Sequence, residues 1–150
     1  MEHWQVASEP SAHRVLDRSL TVGTAEELEQ LRGYTQMTGH LTIRGSGLKD
    51  LSPLSELSSI LGSLSIIGCH ELTGLKGLEH LAFVGEGILI SNNAELEHLA
   101  EFRGLRHVGN NIIIMSNPKL ESLRGFWGIT GRLKQLSIRG NHSLSNLHGL

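Results

Sequence analysis

Cysteine is nearly absent: Cys69 is the single one in 150 residues. A lone thiol has no partner within the chain, so no intrachain disulfide is expected and no oxidising compartment is implied. Aromatic residues make up 4% of the chain, too few for a platform on which bases stack. An excess of one charge is missing too. With 13 Lys and Arg against 15 Asp and Glu, the formal net charge is −2, and no nucleic acid partner is expected. No apolar run approaches the roughly 20 residues of a membrane helix, so membrane insertion is not expected. The opening MEHWQVASEPSAHR lacks the basic start and apolar run of a secretory signal. Taken literally, this reads as a soluble, unsecreted chain. A phosphate loop, a G-x-S-x-G elbow and a CxxC pair are also missing.

What is there is a repeat. Ile43, Ile66, Ile90, Ile114 and Ile138 recur every 23 or 24 residues. Two residues before them stand Leu41, Leu64, Ile88, Ile112 and Leu136. Leucines follow at steps of three, as in Leu96, Leu99, Phe102, Leu105 and Val108. On an α-helix each such step slips about 60° backward, so these residues would spread round the helix rather than line one face. The alternating part of each unit therefore predicts a short β-strand, and the steps of three predict the bends and flanks that carry the chain round. A fixed period of 20 to 30 residues predicts a stack whose units bury one another's apolar sides. The fold expected is mainly β, a right-handed β-solenoid of about six coils, with residues 1–17 as an N-terminal extension and residues 18–150 as the solenoid.

The two ends differ from the middle. Thr24-Ala25-Glu26-Glu27 reads as a capping box, opening a short helix through about Arg32 that would cover the first coil. The last coil stops at Leu150 before its return flank, leaving Leu144, Leu147 and Leu150 without a visible cap. Arg132 stands where Ile60, Val84 and Val108 stand in earlier units, so Leu133 or Trp127 is expected to fill that place.

The segments LSIIGCHEL, ILISNNAEL, IIIMSNPKL and LSIRGNHSL resemble the leucine-rich-repeat core. The whole unit, L-x-I-x-x-N-x-x-L-x-x-L-x-x-L-x-x-L-x-x-V-G, is more closely similar to the receptor L domain, the β-solenoid of insulin- and EGF-receptor ectodomains and of bacterial relatives. SLTVGTAEELEQLRGYTQMTGHLTI resembles that family's opening helix and first coil. The resemblance spans residues 18 to 150. It implies a cell-surface or extracellular, non-catalytic recognition module that binds proteins, often over the flat sheet, with no cofactor. Many members place a cysteine near the first strand and another before the second; here Tyr34 stands at the second place and no cysteine precedes Leu20.

Candidate chemistry is sparse. Asn93, Asn117 and Asn141 each follow their unit's Ile by three, where stacked amides satisfy turn backbone. Cys69 holds the same position and reads as a ladder residue. Asn141-His142-Ser143 is a glycosylation acceptor only if the protein is secreted. Of nine histidines only His70 and His142 share a phase, and three coils at strand spacing set them about 14 Å apart. No metal site is expected, and Glu95, Glu97 and Glu101 mix with Arg103 and Arg106 on what reads as a solvated flank.

Strand alternation turns Thr42, Ser65, Leu89, Ile113 and Ser137 outward, then Arg44, Ile67, Ser91, Met115 and Arg139. Ile67, Leu89, Ile113 and Met115 would form one apolar patch with a polar rim and with Arg44 and Arg139 at either end. Such a patch marks a surface for a protein or peptide partner. The competing readings are that the N-terminal segment around Trp4 and Val6 covers it, or that the chain is a structural piece of a larger cell-surface protein, self-associating through its open C-terminal coil.

Overall fold

A computed structural model describes residues 13–150. It is mainly β. The chain alternates between two parallel sheets, contributing a strand to one and then to the other. Five strands of two residues each form the smaller sheet: β1 (Val15–Leu16), β3 (Gln36–Met37), β5 (Ser59–Ile60), β7 (Phe83–Val84) and β9 (His107–Val108). Six longer strands form the other: β2 (Leu20–Val22), β4 (Leu41–Ile43), β6 (Leu64–Ile67), β8 (Ile88–Ser91), β10 (Asn111–Met115) and β11 (Gln135–Arg139). Strand β1 falls inside the stretch that sequence periodicity sets apart as an extension. The segment around Trp4 and Val6 lies outside the described residues.

The register reproduces the sequence period. Ile43 pairs with Ile66, Ile66 with Ile90, Ile90 with Ile114 and Ile114 with Ile138. Leu41, Leu64, Ile88 and Ile112 pair in the same way two residues earlier. All of these except Ile138 are buried, with the leucines of the three-residue steps packed around them in one continuous core. At about 2 kcal/mol for each fully buried aliphatic side chain, these ladders dominate the stability of the fold.

The steps of three contain more than bends. Met37, Ile60, Val84 and Val108 sit in the smaller sheet, which periodicity alone does not announce. Between the sheets, 3-10 turns at Ser52–Leu54 and Ala100–Gly104 tuck Leu54 and Phe102 inward. A five-residue helix, α1 (Ala25–Glu29), starts where Thr24 accepts a hydrogen bond from the Glu27 amide, and it ends short of Arg32.

The last unit departs from the ladder. Leu136 is 42% exposed although its counterparts are buried, because no described strand lies beyond β11. At the place held by Arg132, Leu133 packs against the core, whereas Trp127 is 67% exposed and lies under the Arg124 guanidinium.

Candidate functional site

The outward rows of the larger sheet can be built residue by residue. Thr42 pairs with Ser65, Ser65 with Leu89, Leu89 with Ile113 and Ile113 with Ser137. In the next row Ile67 pairs with Ser91, Ser91 with Met115 and Met115 with Arg139. Leu89 and Ile113 are thus direct neighbours, while Ile67 and Met115 flank Ser91 from opposite sides. All four apolar residues are half-buried. Ser91, which alternation assigns to the polar rim, is only 5% exposed: the larger side chains on either side leave it little access to solvent. The patch is therefore more continuous than the sequence pattern suggests.

Arg44 follows β4 and Arg139 closes β11, with β6, β8 and β10 between them. Four strand spacings separate the two guanidinium-bearing strands by about 19 Å, so they border the patch without meeting. Arg139 Nε donates to Ser137 Oγ at 3.0 Å, which lays that side chain along the sheet.

Beyond these rows, residues after the strands repeat one backbone device. Gly68, Asn92, Ser116 and Gly140 all have φ between 57° and 65°. This left-handed residue turns the chain off the sheet in four successive units. Glycine takes the conformation freely; Asn tolerates it, and Ser116 takes it at a cost. Asn92 and Ser116 line, with His70, Ala94 and Pro118, a shallow apolar hollow of about 230 Å³ beside the Ser91–Met115 row. The in-phase pair Gly68 and Gly140 is the sequence signal for this turn, obscured because Asn and Ser replace glycine between them.

Under the turns runs the amide ladder. Asn93 Oδ1 accepts from the Cys69 amide at 2.9 Å, Asn117 Oδ1 from the Asn93 amide at 3.1 Å, and Asn141 Oδ1 from the Asn117 amide at 3.0 Å. Each Asn Nδ2 also donates to a carbonyl of the preceding unit, at Ile66, Ile90 and Ile114. Cys69 takes the first rung, its thiol donating to the Ile43 carbonyl at 3.6 Å. Burial pushes this thiol above its ordinary pKa, so it stays protonated and inert near neutral pH. Among the described residues no three His, Cys, Asp or Glu side chains come together as metal ligands. The charged flank holds a Lys119–Glu95 ion pair at 2.6 Å, both partners about half exposed, and a His98–Glu101 contact. Among the described residues no helix is long and apolar enough to cross a membrane. The sequence matches no family model and no curated protein.

Proposed function

We propose that the chain is a β-solenoid of the receptor-L-domain kind, right-handed, with about six coils, and that it is a non-catalytic recognition module binding a protein or peptide partner over the larger sheet. The observation that carries this reading is the register pairing of Leu89 with Ile113, with Ile67 and Met115 closing over Ser91 in the adjacent row. Four apolar side chains on neighbouring strands of a flat sheet gain free energy when a partner removes them from water. The bordering Thr42, Ser65 and Ser137 supply hydrogen bonds at the rim, and Arg44 and Arg139 supply charge that orients the partner. The neighbouring hollow at Ala94 and Pro118 extends the same surface by a place for one more apolar side chain.

The test is comparative capture. Immobilised wild-type chain and Ile113→Arg are exposed to the same extract, and retained proteins are identified by mass spectrometry. Ile113 points outward and is half-buried, so the variant keeps its circular dichroism spectrum and melting temperature. The expected result is at least one protein held by wild type and lost from the variant. An identical retained set from a folded variant sinks the reading.

A further inference from the structure

The outward side of the larger sheet carries charge of one sign. Its two rows run from Thr21 and Gly23, on the β2 side, to Ser137 and Arg139 on β11, and they hold Arg44 and Arg139 but no carboxylate. Arg44 belongs to the outer row: its amide donates to the Val22 carbonyl at 2.8 Å, so the ladder continues through it, and it is exposed one residue past buried Ile43. Arg139 pairs with Met115, is exposed, and its Nε donates to Ser137 Oγ in the neighbouring outward row. Among the described residues neither guanidinium is in an ion pair. Of the carboxylates along the borders of this face, Glu86 accepts from Ser63 Oγ at 3.2 Å and Glu95 is paired with Lys119 at 2.6 Å.

Four strand spacings set the two cations about 19 Å apart. Between them in the same row stand Ile67, Ser91 and Met115, with Leu89 and Ile113 beside them. An extended chain covers about 20 Å in six residues. Six is an even number of steps, so both end residues turn to the same side, together with the second and fourth residues between them. A helix takes about 13 residues for that distance, and its end residues then lie about 140° apart around the axis. The hydroxyls of Thr42, Ser65 and Ser137 offer partners to the amides and carbonyls that an extended chain leaves open.

We propose, on the reading of this face as the binding surface, that the partner is an extended segment lying across the strands, with carboxylates six residues apart and apolar side chains at the second and fourth places between them. The carboxylates meet Arg44 and Arg139 in charge-assisted hydrogen bonds, and the apolar pair is buried against Ile67, Leu89, Ile113 and Met115. A second copy presenting the same face is no complement, since it brings two more arginines and no carboxylate.

The probe is a rhodamine-labelled peptide amide, Glu-Ser-Leu-Ser-Val-Ser-Glu, titrated with the full 150-residue chain and read by fluorescence anisotropy at low salt. One control, Glu-Glu-Ser-Leu-Ser-Val-Ser, has the same composition with its carboxylates adjacent; a second has Gln in place of both Glu. The spaced peptide is expected to bind saturably, and both controls roughly tenfold or more weakly. Arg44→Gln/Arg139→Gln, altered only at exposed side chains, weakens the spaced peptide by a similar factor. Ile113→Ser, with its circular dichroism spectrum unchanged, weakens it too. Equal binding of the adjacent-carboxylate peptide, or unchanged affinity in the arginine variant, overturns the proposal, while loss of binding in Ile113→Ser still upholds the sheet face as a binding surface. Unchanged affinity in Ile113→Ser overturns both. No binding of the spaced peptide overturns this partner and leaves the face itself to the capture comparison with Ile113→Arg. A dimer by light scattering that Ile113→Ser dissolves overturns the proposal as well, because a second copy then occupies the face.

Discussion

Asn117 makes four hydrogen bonds with one amide group. Its Oδ1 accepts from the Asn93 amide and from Asn93 Nδ2, and its Nδ2 donates to the Ile90 carbonyl and to Asn141 Oδ1. Asn117 and Asn93 are both fully buried, so no water replaces these partners. Asn117→Ala leaves the Asn93 amide unpaired in the core and takes from the Ile90 carbonyl its second donor, the first being its ladder partner on β10. An orphaned buried amide costs about 1–3 kcal/mol, and a loss on the order of 2 kcal/mol is expected. Asn141→Ala has the same chemistry at a half-buried site that solvent reaches, so its loss is smaller. Urea unfolding midpoints of the two variants decide the matter. Equal, small losses in both would show that the buried amides are not what holds successive turns together.

The strand elements of the larger sheet are legible in the sequence because each carries apolar residues at the same two positions in every unit. Leu64 and Ile66 announce β6 as plainly as Ile88 and Ile90 announce β8. The smaller sheet is not legible, because each strand is two residues long and period two needs more than one alternation to appear. Phe83 and His107 illustrate this: they pair across β7 and β9 with rings stacked 4.6 Å apart, yet nothing in their local sequence predicts a ladder. Leu136 reads as core by phase, and only the absence of a described strand beyond it leaves it exposed. The patch at Leu89 and Ile113 follows from the same phase that places the core, whereas the burial of Ser91 depends on the size of its neighbours across the sheet. Between strands, close approach constrains the flanks. Gly125 has φ 122°, and a Cβ there would run into the Leu99 carbonyl oxygen. Gly125→Ala therefore combines a forbidden backbone conformation with a backbone clash, and a destabilisation of at least about 2 kcal/mol is expected. A melting temperature within a degree of wild type would mean that the flank shifts freely.

Burial across the whole molecule is graded from the middle toward the last unit. Residues of β6, β8 and β10 that face the core are buried between neighbours on both sides. In the last unit Leu147 and Leu150 are 58% and 52% exposed, and Ile138 is only half-buried. Opening β11 exposes little apolar surface that is not already wet, while opening β8 breaks contacts with two flanking strands. Local opening free energy follows apolar burial and pairing, so amide hydrogen exchange is expected to be slowest in β6 and β8 and fastest, among the strands of the larger sheet beyond β4, in β11. Within β11 the pattern alternates: the Gln135 amide, bonded to Asn110, is protected more than those of Leu136 and Ile138, which point away from β10. Equal exchange at the Gln135, Leu136 and Ile138 amides would show that pairing with β10 does not set protection in this strand.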